Sequence, residues 1–229
     1  MASTVTLAQM MTTVRRWSNL ENATGFVPDA EVRERINYAL ADLYDLLIKA
    51  RAQEFYRSAY PFTTSGGTST YALPADFYEL ISLDVNLGNN ITLSARPYME
   101  FERNRFKWYP GWFYNMPVYY RLMGGNLNFI PTPQGAYSCQ LNYYPAFTPF
   151  DTSGSQDSNT FDGVNGWHEY AIWQVVAGLR EKDDADATFA LSRVADLRQR
   201  IEGLAAMRDA GNAERMHDVD ADDDLWGQL

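Results

Sequence analysis

Hydrophobic residues recur at helical spacing near both ends of the chain, and they alternate at strand spacing in the middle. Val32, Ile36 and Leu40 lie four residues apart on one seam, and a second seam begins at Ala190. Steps of three and four residues share one face of a helix, whereas alternating residues share one face of a strand. The pattern predicts an α+β fold: a helical bundle formed by N- and C-terminal helices, with an inserted antiparallel β domain.

Four helices are predicted in the bundle. The first begins with a capping box at Thr6 and Gln9, and the second opens at Pro28 and runs to about Ala52. Asn165 is predicted to cap a third helix, which is apolar nearly all round and should therefore be the most buried of the four. A short acidic link leads into the last helix.

The middle of the chain carries the signals of short strands joined by tight turns. Glycine-containing turns are predicted at residues 65–67, 88–90 and 124–126, with alternating apolar residues on either side of the last one. A meander or small sandwich is predicted from this pattern. Pro131 and Pro133 predict that the strand before them lies at a sheet edge or stops there. Residues 97–106 are predicted to form a short helix across the sheet.

These patterns divide the chain into five segments. We predict N-terminal bundle helices at 1–54, the β domain at 55–147, a polar loop at 148–166, C-terminal bundle helices at 167–210 and a flexible acidic tail at 211–229. The N-terminus lacks the features of a secretory signal, and no stretch approaches the roughly 18 apolar residues that span a membrane.

Composition limits the chemistry of the chain. The net charge of −10 argues against a surface that grips nucleic acid. With two histidines and one cysteine, a transition-metal site is not expected, and neither phosphate-binding loops nor a nucleophile elbow occur. We therefore predict a protein that is not an enzyme and has no cofactor. A small hydrolase whose triad includes His168 remains an alternative.

One candidate site combines basic and aromatic residues inside the β-rich stretch. The segment is a candidate subunit or tail interface, because arginine and large aromatics concentrate binding energy. It can equally form the edge of the β core. A third hypothesis is a carbohydrate- or ligand-binding module, with Trp108, Trp112 and Tyr114 as a stacking platform. The candidate residues are Arg103, Arg105, Lys107, Trp108, Trp112, Phe113 and Tyr114.

The second candidate site is the acidic tail, which ends in apolar residues. A charge run is usually a solvated end, but a tryptophan in such a tail indicates a groove on a partner that receives it. The candidate partner-binding residues are Asp222, Asp223, Asp224, Leu225, Trp226 and Leu229.

Several segments, in order along the chain, resemble the adaptor (head completion) proteins of tailed-phage head–tail connectors. They are residues 35–40 in the second helix, 71–77 with 80–83, 125–133, 141–145 and the helix start at 167–169. Together they are spread over most of the chain, from residue 35 to residue 169. The aromatic insert at 108–114 and the tail with Trp226 do not map onto the pattern of that family.

The resemblance implies a structural virion protein that forms a homo-oligomeric ring, usually a dodecamer. Such a ring docks beneath the portal protein, extends the DNA channel used in DNA ejection, and presents a platform to a tail or stopper protein. In related connectors the C-terminal segment reaches into the portal. The acidic composition agrees with a channel through which DNA passes without sequence-specific binding.

Overall fold

The computed structural model of the chain describes residues 4–49, 56–88, 91–98, 117, 119–162 and 166–205. These residues contain helices α1 (Leu7–Ser18), α2 (Asp29–Lys49), α3 (His168–Lys182) and α4 (Thr188–Ala205). Their strands are β1 (Thr4–Thr6), β2 (Ser58–Thr63), β3 (Thr70–Ala72), β4 (Phe77–Asn86), β5 (Thr92–Ser94), β6 (Arg96–Pro97), β7 (Tyr119–Met123), β8 (Asn126–Ile130), β9 (Ser138–Pro145) and β10 (Thr160–Asp162). The predicted α+β class is confirmed.

The chain divides into two compact units, one made of Met1–Ala52 with Phe150–Leu229 and the other of Gln53–Pro149. The first unit contains all four described helices and the second contains strands β2 to β9. None of the described helices combines the length and the apolar character needed to cross a membrane.

Local sequence signals define both ends of α1. The hydroxyl of Thr6 accepts a hydrogen bond from the Gln9 amide at 3.2 Å, and the Gln9 side chain accepts one from the Thr6 amide at 3.0 Å. This reciprocal pair is the predicted capping box, which satisfies amides that have no partner within the helix. Asn19 ends the helix in the left-handed conformation, with a φ of 59°.

The starts of α2 and α3 differ in how well they were predicted. Helix α2 begins after Pro28, as predicted, and continues to Lys49; the predicted remainder, 50–52, lies outside the described residues. The predicted cap at Asn165 is wrong. Helix α3 begins at His168, and its capping position is Trp167, whose side chain makes no capping hydrogen bond. Trp167 is buried, with 2% of the residue exposed.

Helix α3 is the central helix of the bundle unit. It contacts α1, α2 and α4, and buried residues occur on most of its circumference. This agrees with its predicted apolar surface, because a helix that is surrounded on three sides has little room for polar residues.

The β unit is a small sandwich of two four-stranded sheets. Their strand orders are β2-β9-β4-β5 and β3-β8-β7-β6. The two inner faces meet in one core, where the Phe129 ring lies 6.3 Å from that of Phe62 and 5.6 Å from that of Tyr71. The buried residues of this core are Leu83, Val85, Ala95, Leu127, Phe129, Cys139, Leu141 and Tyr143.

The chain changes sheets at Ala95, which is buried between β5 and β6. Strand β6 then pairs with β7 in parallel, the one exception to the antiparallel pairing among the described strands of this unit. The short helix predicted from residue 97 is wrong at its start, because Pro97 belongs to β6; its residues from 99 onward lie outside the described residues. Strand β8 stops at Ile130, as predicted from Pro131, but it lies between β3 and β7 rather than at an edge.

Two strands were missed by the sequence analysis. Strands β1 and β10 pair antiparallel, with Val5 opposite Phe161, and β10 lies inside the predicted polar loop at 148–166. Each strand has three residues, which is too short for alternation to be recognised. Their pairing depends on residues that are far apart in the sequence.

Gly66 permits a close backbone approach in the crossing from β2 to β3. A Cβ atom there would lie 2.8 Å from the carbonyl oxygen of Gln134. We expect Gly66→Ala to lower the free energy of unfolding by about 1–3 kcal/mol, as overpacking does elsewhere. Gly125→Ala is the matched control, because no atom lies within 4 Å of its Cβ position. Equal unfolding midpoints for the two variants in urea would contradict this account.

Candidate interaction surfaces

Both sets of sequence-predicted site residues lie outside the described residues. The aromatic-basic set comprises Arg103, Arg105, Lys107, Trp108, Trp112, Phe113 and Tyr114. The tail set comprises Asp222, Asp223, Asp224, Leu225, Trp226 and Leu229. The assignment of these residues to interfaces therefore stays a prediction.

The titratable groups of the described residues do not form a recognisable catalytic or metal centre. No group of three His, Cys, Asp or Glu residues among them could hold a metal ion. Burial lowers the pKa of His168, and its Nδ1 atom has no hydrogen-bond partner in the described part of the chain. A triad histidine would have a carboxylate at that position. Burial also raises the pKa of the Cys139 thiol to about 12, so this thiol is unreactive at neutral pH.

Residues 150–162, which we call the strap, are tied to α2 by two of its side chains, Arg33 and Asn37. The guanidinium of Arg33 donates to both carboxylate oxygens of Asp157, at 2.8 and 2.6 Å. One turn later, Asn37 makes a two-way amide pair with the backbone of Phe150, at 2.8 and 2.9 Å. The strap is thus held at two positions. Charge-assisted hydrogen bonds hold it at Asp157, and a pair of amide hydrogen bonds holds it at Phe150.

The strap also completes the start of α1. The amides of Leu7 and Ala8 donate to the carbonyls of Asn159 and Asp157, at 3.1 and 2.9 Å. The first amides of a helix have no partner within it, so the strap satisfies two of them. Together with the β1–β10 pairing, these bonds join the N-terminus of the chain to the strap.

The last turn of α3 contacts the end of α1, the first turn of α2 and Phe26 in the link between them. Lys182 donates to the carboxylate of Glu31 at 2.7 Å and lies 5.0 Å from the centre of the Phe26 ring. The hydrogen bond from Lys182, joined by one from Arg35, holds the pKa of Glu31 below its ordinary value. Arg180 donates to the Trp17 carbonyl at 3.0 Å, which adds a second tie between α3 and the end of α1.

Three aromatic rings, one each from α1, α3 and α4, form what we call the aromatic row. Trp17 stacks on Trp173 with ring centres 4.4 Å apart. Phe189 also contacts Trp173, edge-on, with ring centres 5.6 Å apart. Both tryptophans are partly buried, whereas Phe189 is 61% exposed. A large apolar side chain that stands out beside two indoles is typical of an interaction surface.

Helix α2 presents a second exposed surface, which we call the acidic stripe: Glu34, Tyr38 and Asp42. The three residues are exposed and lie four apart, and Tyr38 is, at 67%, the most exposed large hydrophobic residue in the described part of the chain. Glu34 accepts a hydrogen bond from the Tyr38 hydroxyl, and Asp42 accepts one from Gln174. Neither carboxylate forms an ion pair within the described part of the chain.

One sheet of the β unit contains a buried polar cluster and a proline at its edge. On the sheet that contains β4 and β9, Asn142 is fully buried and donates to Ser82 and Asp84, at 2.8 and 2.9 Å. Pro61 lies in β2, at the edge of the same sheet, where it removes one backbone donor. Proline at an edge strand discourages pairing with another sheet. Sheet extension through β2 is therefore disfavoured.

Sequence analysis did not single out the aromatic row, the acidic stripe or the strap contacts. Trp17 and Trp173 read as helix-face residues, and Arg33 lies 124 residues from its partner Asp157. The sequence did contain a signal for the acidic stripe. Tyr38 lies on the polar face of α2, four residues from Glu34 and from Asp42, where a large aromatic side chain cannot contribute to the core.

Comparison with protein families supplies the remaining information about function. The SU10 adaptor protein family matches residues 5–220, which include the strap and every residue of the aromatic row and the acidic stripe. Comparison with curated proteins gives no match.

Proposed function

Because the chain belongs to the SU10 adaptor protein family, whose members are structural proteins of phage particles, we propose that it forms a ring that joins the portal to the tail. The family match over residues 5–220 is the observation that carries this proposal. Membership implies a virion protein with a structural, non-enzymatic role. In the proposed ring, portal protein binds on one side and a tail or stopper protein on the other.

The charge of the chain supports a channel role. With a net charge of −10, a ring of many copies surrounds its channel with negative potential. DNA phosphates would be repelled by such walls, so DNA would pass without being held. Twelve copies, as in related connectors, remain part of the proposal.

The division of the chain into two compact units supports separate roles for them in this ring. We propose that the inserted stretch, 55–147, folds as a domain and that its aromatic-basic segment, with Trp108 and Arg105, contacts a neighbour or the tail. That segment connects β6 to β7, and parallel neighbours need a long crossover between them. The connection from β6 to β7, which includes the aromatic-basic segment, must therefore be long.

The tail at 211–229 is proposed to bind the portal, with Trp226 as its anchor and the aspartates beside basic grooves. We expect a chain truncated after residue 210 to fold with an unchanged circular dichroism spectrum and to lose binding to assembled portal. The loss follows because a buried tryptophan commonly contributes a large share of interface energy. Binding can be measured by co-sedimentation with portal particles.

The single substitution Trp226→Ala is the matched control for this truncation. It leaves the acidic residues in place, so it separates the contribution of the indole from that of the charge. We expect it to weaken binding at every salt concentration, whereas loss of the acids removes the salt dependence. Unimpaired portal binding by the truncated chain would rule out the proposed role of the tail.

A further inference from the structure

The aromatic row is a partly exposed apolar surface on the bundle unit. Trp173 of α3 contacts both Trp17 of α1 and Phe189 of α4, so the row joins three helices. Phe189 is 61% exposed although it lies beside an indole, and most of its ring area therefore faces solvent. An exposed phenylalanine next to aromatic rings is suited to receive another large apolar side chain.

The charge around Phe189 is mixed. Arg193, Asp196 and Arg200 follow it at i+4, i+7 and i+11, a spacing that keeps all four residues on one flank of α4. Arg193 and Asp196 lie 4.0 Å apart. Charge therefore does not select the partner of this flank, and the exposed ring decides what can bind: a segment that carries large apolar residues.

The part of the chain that follows α4 begins within reach of the aromatic row. Helix α4 is described as far as Ala205, and Phe189 lies 16 residues before it, or about 24 Å back along the helix. Trp226 follows Ala205 by 21 residues. A flexible chain of that length has a root-mean-square end-to-end distance of about 25 Å, and it spans about 70 Å when fully extended.

This match between length and separation favours the tail of the same chain as the occupant of the row. The effective concentration of a tethered group is highest when the typical length of its tether equals the distance to be spanned, and it then reaches the millimolar range. In dilute solution this exceeds the concentration of any second copy. The tail also has the required chemistry, because Leu225 and Trp226 are adjacent large apolar residues.

We propose that, before the portal is bound, Leu225 and Trp226 pack on the aromatic row of their own chain, beside Phe189. The tail is proposed above to bind the portal through the same tryptophan, so the two contacts exclude each other. Portal binding then requires the tail to leave the row. This competition rests on the proposed function, whereas the contact with the row rests on the exposed ring and on the reach of the tail.

The contact with the row weakens portal binding by a definite amount. The apparent Kd for portal equals the intrinsic Kd divided by the fraction of chains whose tail is undocked. A variant that loses the contact with the row should therefore bind portal more tightly than the unmodified chain. Most surface truncations leave binding unchanged or weaken it, so an increase in affinity is a distinctive result.

Cross-linking within the full chain, without portal, tests the contact with the row. Gln228→Cys in the tail is combined with Ser192→Cys, which is exposed and lies three residues after Phe189. The matched control combines Gln228→Cys with Ala195→Cys, exposed on another flank of α4 and closer to the start of the tail. A short bis-maleimide is expected to link the Ser192→Cys chain several-fold faster. Cys139 does not interfere, because it is buried.

An undocked tail gives a different result, because it would reach residue 195 at least as fast as residue 192. Equal rates at the two positions, or a faster rate at 195, would overturn the contact with the row. Adding Phe189→Ala to both chains is expected to remove the preference for 192. Mass spectrometry of a mixture of ¹⁵N-labelled and unlabelled chains distinguishes links within one chain from links between copies. Products that mainly join labelled to unlabelled chains would overturn the contact within one chain.

Portal binding tests the competition. Phe189→Ala in the full chain is expected to bind assembled portal several-fold more tightly in co-sedimentation, with an unchanged circular dichroism spectrum. Leu191→Ala is the matched control, because Leu191 is 50% exposed on another flank of α4, and its affinity is expected to stay unchanged. Equal or weaker binding by the Phe189→Ala chain would overturn the competition. Unimpaired binding after removal of residues 211–229 would instead overturn the proposed role of the tail, and the cross-linking result would stand independently.

Discussion

Replacing Arg33 with methionine is expected to lower the free energy of unfolding of the bundle unit by about 2–3 kcal/mol. The guanidinium is largely buried and makes two hydrogen bonds to Asp157 and one to the Thr152 carbonyl. Methionine retains the apolar stem but leaves the carboxylate without its partner. The expected cost is below the roughly 3–5 kcal/mol of a fully buried pair that loses one partner, because the Asp157 side chain is 32% exposed and can regain water.

The effect of Arg33→Met should depend on pH. The hydrogen bond from Arg33 holds the pKa of Asp157 below its ordinary value. A carboxylate whose pKa is lowered by folding stabilises the protein above its unfolded pKa, about 3.9, and this contribution is lost as the pH falls through the folded pKa. The stability difference between the unmodified and Arg33→Met chains should therefore be full at neutral pH and shrink below about pH 4.

Urea unfolding at several pH values measures this difference, and amide hydrogen exchange locates it. We expect faster exchange at Leu7, Ala8 and Phe150, whose amides are bonded to the strap or belong to it. Arg198→Met is the matched control, because Arg198 forms an exposed pair with Glu202 on α4. Exposed pairs contribute about 0–1 kcal/mol. Equal losses from the two arginine variants would contradict the role assigned to the strap.

Replacing Phe129 with alanine is expected to lower the free energy of unfolding of the β unit by about 3–5 kcal/mol. Phe129 is 2% exposed, and its ring contacts both Phe62 of one sheet and Tyr71 of the other. Alanine removes the aromatic contacts and leaves a cavity between the sheets. Because β8 lies in the interior of its sheet, neighbouring strands cannot close over that cavity easily.

The matched control for Phe129→Ala is Leu122→Ala on the adjacent strand β7. Leu122 is 40% exposed, so its truncation is expected to change stability by less than about 1 kcal/mol. Thermal unfolding followed by circular dichroism, together with amide exchange in β9, distinguishes the two variants. A cost for Phe129→Ala no greater than that for Leu122→Ala would show that the inner faces of the two sheets do not share a single core.

Only some of the functional features could be predicted from the sequence. Net charge, the single cysteine and the ordered resemblance indicated a structural phage protein, and the family match supports that statement. The aromatic row combines residues 17, 173 and 189, which carry no common signal along the chain. Its existence depends on α1 and α4 both packing beside α3.

What the sequence by itself determined is the local structure: the capping box of α1, the amphipathic faces of α2 and α4, and the turns around Gly124. These depend on neighbours within about one helical turn or one hairpin, so the physical cause lies in consecutive residues. Tertiary structure decided the pairing of β1 with β10, the placement of β2 and β3 in different sheets, and the bond from Arg33 to Asp157. Each of these contacts joins residues that are far apart in the sequence, so local conformational preferences cannot specify it. It is determined by packing and by the pairing of buried hydrogen-bonding groups in the folded chain.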